Sequence, residues 1–238
     1  DDTTGRLLLK ELADAADRGV KVRLLLDDMD AREDNFALAG LDAHPNIEVR
    51  LYNPYGSREG AVGKFTETVG SAKRLNRRMH NKSWIADNRI ALAGGRNVGD
   101  EYFAASEGTN FFDLDFLAVG PAVTDLSRSF DDYWNSPAAY PISALAKAPP
   151  DEQALAALRA KGEEAIAKDR DSAFVRSLPA SEPVQRLLSG QLPLQWSTRW
   201  QVLADAPMKA LAEGEAPVRS QVLEGLRAAM TQATTEVT

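Results

Sequence analysis

Along residues 1–142 the apolar positions change period repeatedly, and few architectures accommodate that. Leu7, Leu8, Leu12, Ala15 and Ala16 recur at helical spacing and stop at Gly19. The following VKVRLLL, residues 20–26, reads as a strand that ends on Asp27 and Asp28. The same reasoning predicts helices over 5–18, near 34–43, near 65–77 and over 121–135, and strands over 20–26, 47–52, 80–86, 89–93 and 112–119. Strands that alternate with helices need both sheet faces covered, so the expected class is α/β, a mixed sheet between helical layers. Residues 143–238 differ in character: DEQALAALRAKGEEAIAKD and a helix over roughly 218–231 predict a mostly helical connecting region, set off near the Ala-Pro-Pro of 148–150.

Composition narrows the chemistry. In 238 residues, 28 Lys and Arg against 35 Asp and Glu leave a net charge of −7, which argues against nucleic acid as the main partner. There is no cysteine, and the two histidines are His44 and His80, so neither a thiolate site nor a multi-histidine metal centre is available. No apolar run approaches the ~20 residues needed to span a bilayer. FLAVGPAV is interrupted by Gly120 and Pro121, and membrane contact by this chain is expected to be peripheral. Lys73, Arg74, Arg77 and Arg78 read either as a solvated helix face or as a patch for anionic lipid head groups. Asp27 and Asp28 stand where open α/β sheets often bind ligands, and equally where a turn needs a cap. His44 reads as a loop residue, Tyr133 and Trp134 as anchors of their helix, and Trp196 and Trp200 as packing or a weak interfacial contact.

The chemistry concentrates in residues 79–103, MHNKSWIADNRIALAGGRNVGDEYF. His80 and Lys82, two apart in a strand-like segment, leave one sheet face together and can meet one small anion. Asp87 has the opposite parity, which suits a turn better than direct contact. Gly94 and Gly95 let the backbone approach a ligand closely, and Asn97 offers an amide donor to an oxyanion. Imidazole, ammonium and amide make a phosphate site that needs no metal and no other cofactor.

His-x-Lys, four residues, Asp, six residues, Gly-Gly-x-Asn is the HKD signature of the phospholipase D superfamily. His80, Lys82, Asp87, Gly94, Gly95 and Asn97 match it without a gap. GVKVRLLLDD, GGRNVGDEYF, FFDLDFLAVGP and FDDYWNS extend the likeness, so that residues 5–142 resemble the first half of bacterial cardiolipin synthase-type members of the branch lacking transmembrane helices.

The resemblance implies a phospholipase D-type α-β-α sandwich whose N-terminal strand precedes this sequence. It also implies a two-step phosphodiester transfer, with a covalent phosphohistidine and a second histidine that protonates the leaving alcohol. His80, Lys82, Asp87 and Asn97 are then the catalytic set, with Lys82, Asn97 and Gly95 holding phosphate and Arg96 a further candidate contact. In the family a downstream carboxylate steers the nucleophilic imidazole. Alternation along FFDLDFLAVG puts Asp113 and Asp115 on one face, and Asp113 is the choice, Asp115 the runner-up. Two such motifs are required and this chain carries one. The second is expected in a continuation beyond 238, because the helix of 218–231 leads into strand-forming Thr234–Thr238; a homodimer is the other route. The implied activity is phosphatidyl transfer that forms cardiolipin from phospholipids, on the cytoplasmic side of a bacterial inner membrane and peripheral to it. The alternative is a phosphodiesterase or nuclease acting as a dimer.

Overall fold

The computed structural model describes residues 2–28, 35–54, 78–106, 108–145, 152–177, 181–207 and 220–235. The helix expected near 65–77, the boundary at 148–150 and the basic residues Lys73, Arg74 and Arg77 lie outside them. Helix α1 (Thr3–Asp17) begins where the Asp2 carboxylate accepts the Gly5 amide at 2.6 Å, satisfying an amide the first turn leaves without a partner. It stops at Gly19, whose φ of 93° carries no Cβ penalty. Strand β1 (Val22–Asp27), helix α2 (Asn35–Asp42) and strand β2 (Ile47–Tyr52) follow, and β1 and β2 run parallel with Val22 opposite Ile47 and Asp27 opposite Tyr52. A parallel pair needs a crossover, which α2 supplies.

Alternation along β2 sends Ile47, Val49 and Leu51 into a core shared with Ala13, Ala16, Leu38 and Leu41. Each such fully buried Val or Leu stabilises the fold by about 1.5–3 kcal/mol. The other face carries Arg23 and Arg50, whose guanidiniums lie over aromatic rings of α3 (Pro121–Trp134): Arg50 is 4.4 Å from the Trp134 centroid and Arg23 is 5.0 Å from Phe130. Tyr133 and Trp134 are both buried and anchor this helix. The expected layering, helix on each face of a mixed sheet, is therefore present.

A hairpin of β3 (Lys82–Ala86) and β4 (Ile90–Gly94), extended by β5 (Asp115–Val119), forms a second, antiparallel sheet; β6 (Ala139–Pro141) pairs antiparallel with β2 in the first. Two expected strands come out shorter. Strand β4 ends at Gly94, opposite both Lys82 and Asp115, so His80 and Asn81 before β3, and residues 112–114 before β5, have no ladder to join. Helix α3 packs against β3, β4 and β5 as well as the first sheet.

Helices α4 (Glu152–Asp169), α5 (Ala173–Ser177), α6 (Glu182–Leu188) and α7 (Gln221–Gln232) supply the helical character read in 143–238. Helix α4 is not detached, however. Leu158 packs on the core, and the Arg159 guanidinium grips the Asp17 carboxylate at 2.7 and 2.9 Å. Thr234 and Thr235 form a bend after α7 where a strand was expected, and 236–238 lie outside the described residues. No described helix is long and apolar enough to cross a membrane.

The α2–α4 contact is close enough to test. A Cβ on Gly40 would stand 2.7 Å from the Ala154 carbonyl oxygen, which is backbone and cannot rotate away. Gly40→Ala gains helix propensity yet forces the helices apart, and is expected to lower stability by about 1–3 kcal/mol, read as a lower urea midpoint at unchanged slope. An equal or higher midpoint would refute the close approach.

Candidate active site

The site is assembled by one tight turn. Asp87 and Asn88 adopt φ of 52° and 53°, and the Arg89 amide bonds the Ala86 carbonyl at 3.0 Å. Two consecutive left-handed residues make the turn that matches strand twist, and Asn and Asp tolerate that region. Its consequence is the register in which Lys82 pairs with Gly94; on the other edge of β4, Gly94 pairs with Asp115. His80 leads into this end of the sheet, Gly95, Arg96 and Asn97 lead out of it, and Asp113 leads back in. His80, Lys82, Arg96 and Asn97 line one open groove of about 1740 Å³ that runs on between β1 and β3. His80, Lys82 and Asn97 thus face the same groove, which Asp87 also lines, although His80 precedes the strand and strand parity is not what unites it with Lys82.

Asp87 sits at the opposite end of the hairpin, about 13 Å of strand from Lys82 at ~3.3 Å per residue. It shapes the turn, as its parity indicated. The imidazole of His80 is exposed and, among the described residues, has no hydrogen-bond partner. Lys82 Nζ bonds the His80 carbonyl at 3.0 Å. The Asn97 amide donates to the Tyr102 hydroxyl at 3.0 Å, and the Tyr102 ring packs on Phe111 at 5.1 Å.

Arg96, Asp113 and Asp115 are engaged with one another and with the glycine loop. Arg96 Nε donates to Asp115 at 2.6 Å, its remaining nitrogens reach the carbonyls of Tyr102 and Asp113, and the guanidinium lies 5.4 Å from the Phe103 centroid. Arg96 is therefore engaged in holding the glycine loop to β5, and Asp115 is engaged with Arg96. Neither carboxylate hydrogen-bonds the His80 ring. The Asp113 and Asp115 side chains instead occupy the space a Cβ would take on Gly95 and Gly94, so both glycines are demanded by packing against β5 as much as by any ligand.

Three attachments escaped the sequence reading. Arg78 is buried, 6% exposed, and its guanidinium is paired with Asp27, whereas the spacing had placed it on a solvated or lipid-facing patch. The Asp100 carboxylate accepts from the amides of Thr3 and Thr4 at 3.1 and 2.8 Å, and so ties the residues after Asn97 to the start of α1. Burial opposes its ionisation, but the Thr4 and Thr3 hydrogen bonds prevail and hold it below the usual carboxylate range. On the other flank of His80, the Tyr133 hydroxyl donates to the Asp205 carbonyl at 2.9 Å. An Asp before a loop or an Arg before a motif carries no periodic signal that separates these roles from solvent exposure. His44 is structural, its Nε2 3.1 Å from Asp17. Trp200 donates to Asp125 at 2.9 Å, while Trp196 is exposed.

These residues present imidazole, ammonium and amide groups at one sheet end of an α/β sandwich, the arrangement of a phospholipase D-like domain. Comparison with known proteins agrees. Residues 3–134 match the family model described as cardiolipin synthase, phospholipase D-like domain, and the chain belongs to that family. It is 41% identical over 218 residues to cardiolipin synthase C of Escherichia coli, covering 91% of this chain and 44% of that protein. A cardiolipin synthase of Staphylococcus aureus is 32% identical over 140 residues, 58% of this chain and 26% of its own length. An uncharacterized protein of Helicobacter pylori is 42% identical over 144 residues, 60% of this chain and 28% of that protein. The chain spans less than half the length of these relatives.

Tyr133 offers a pH test of the scaffold beside His80. Burial, followed by the nearby Asp205 charge, pushes its phenol up to about 12 from an ordinary 10.0, against the Asn81 hydrogen bond. The folded state then keeps a proton that the unfolded state releases near 10, so stability is intact below pH 10 and falls as pH rises towards 12. The urea midpoint should drop across that window, and Tyr133→Phe should flatten the drop; an equally steep fall in the variant would remove Tyr133 as its source.

Proposed function

We propose that this chain supplies one half of a phosphodiester-transfer site, and that the assembled enzyme transfers phosphatidyl groups between phospholipids to form cardiolipin. The observation that supports this reading is an exposed His80, without a hydrogen-bond partner among the described residues, lining the same groove as Lys82 and Asn97. The family and the cardiolipin synthases among its relatives support the substrate class.

In the first step a neutral His80 ring nitrogen attacks phosphorus. The phosphorus–oxygen bond to the leaving alcohol breaks, and that oxygen takes a proton from a histidine of the second half-site. In the second step the acceptor hydroxyl returns a proton to that histidine, its oxygen bonds phosphorus, and the phosphorus–nitrogen bond breaks. Lys82, Asn97 and the Gly95 backbone meet the phosphate oxygens as charge develops on them. Asp87 fixes the hairpin turn, and Asp113 backs Gly95. The second half-site comes from a further HKD domain of the same polypeptide or from a second copy. The apolar row Phe112, Leu114 and Phe116, exposed beside Asp113 and Asp115, is the surface we assign to its contact. Because the donor sits in a bilayer, the reaction takes place at the membrane surface, on the cytoplasmic side of the inner membrane in this reading.

The complete protein is expected to make cardiolipin from vesicles of phosphatidylglycerol and phosphatidylethanolamine. His80→Ala should lower that turnover at least ~1,000-fold and abolish the phosphohistidine, with thermal unfolding unchanged, as loss of a nucleophile typically does. Phosphatidic acid without cardiolipin would make water the acceptor. No lipid turnover at all would shift the reading to a dimeric nuclease or other phosphodiesterase, and full activity in His80→Ala would overturn it.

A further inference from the structure

We infer that Asp27, at the carboxyl end of β1, is a positioning residue for His80, acting through Arg78 and the Met79 amide; this rests on the reading of His80 as nucleophile. Asp27 Oδ1 accepts from Arg78 Nε at 2.8 Å and from a terminal nitrogen of the same guanidinium, and Oδ2 accepts from the Met79 backbone amide at 3.0 Å. Arg78 also donates to the Asn53 carbonyl, just past β2, at 3.2 Å. One carboxylate therefore pins the two residues that precede His80 to the ends of both parallel strands. The pair is almost dry, with side chains 9% and 6% exposed.

The Met79 side chain packs on the cluster of Tyr52, Tyr133 and Ala138, so the backbone just before His80 is held by both its amide and its side chain, while the His80 ring is itself unheld among the described residues. With its side chain unheld, the location of the imidazole follows from its backbone. An in-line attack needs the reacting atoms ~3–3.5 Å apart, and a displacement of about 1 Å can cost ~100-fold in rate. Stability alone is a poor reason for this pair, since a buried ion pair can often be replaced by apolar residues without loss. A charge-assisted contact made through two guanidinium nitrogens does, however, fix geometry in a way apolar packing does not.

The test separates position from folding. In the complete protein, rapid quench after mixing with phosphatidylglycerol vesicles gives a rate constant and an amplitude for phosphohistidine formation; the amplitude counts folded sites, whereas the rate constant reports geometry. Asp27→Asn keeps the shape and removes the charge. Asp27→Leu combined with Arg78→Met removes both charges of the pair together. In both, the rate constant is expected to fall ~10–100-fold with KM within about twofold of the parent. In the double variant the thermal midpoint should stay close to the parental one. Parental rate constants in either variant, with His80→Ala still inactive, would overturn this role for Asp27. A parent that forms no phosphohistidine, or a His80→Ala variant that still forms it, would instead remove the reading of His80 and this inference with it.

Discussion

The turn at Asp87 and Asn88 sets the pairing of β3 with β4, on which β5 then pairs, and the placement of the site residues depends on that sheet. A slip of one residue in a hairpin sends each side chain to the other face. In the observed register Lys82, Gly94 and Asp115 stand in one row, so the segments that continue past the row, carrying His80, Asn97 and Asp113, emerge at the same end. Gly94 and Gly95 admit the Asp115 and Asp113 side chains into the space of a missing Cβ, which lets β5 close on the loop. Asp87 contributes from the far end of the hairpin, by geometry rather than by contact.

Electrostatics sorts the cations around the groove. Arg96 is paired with Asp115, and Arg78 is paired with Asp27; both guanidiniums serve the scaffold. Lys82 has the His80 carbonyl as its hydrogen-bond partner and no carboxylate within ion-pair distance among the described residues, so its charge is not neutralised by the scaffold. Planar guanidiniums suit bidentate structural contacts, and a flexible ammonium suits a ligand that changes shape during reaction.

How much was legible in the sequence follows from what produces a pattern. The α/β layering was legible because β2 must bury Ile47, Val49 and Leu51 on one face, and that demand writes a period of two into the chain. The site was legible because His80, Lys82, Asp87, Gly94, Gly95 and Asn97 lie within one hairpin, where local spacing nearly fixes spatial order. Strand ends were overextended at 80–81 and 112–114, since pairing stops where the partner β4 stops and no residue in those segments signals it. The carboxylates of Asp113 and Asp115 were assigned to one face by alternation that presupposed a strand through both. The backbone leaves the ladder before Asp113, and Arg96 competes successfully for Asp115.

By itself the sequence determined the fold class, the chemistry available and the family, because apolar period, residue type and short-range spacing are properties of the chain. The tertiary structure decided which charges are spent on scaffold. Asp27 and Arg78 are separated by 51 residues and Thr4 and Asp100 by 96, and no local pattern distinguishes a buried ion pair or a distant helix cap from a solvated side chain. Those contacts exist because folding brings strand ends and a helix start to the same place, and burial then makes each polar group find a partner.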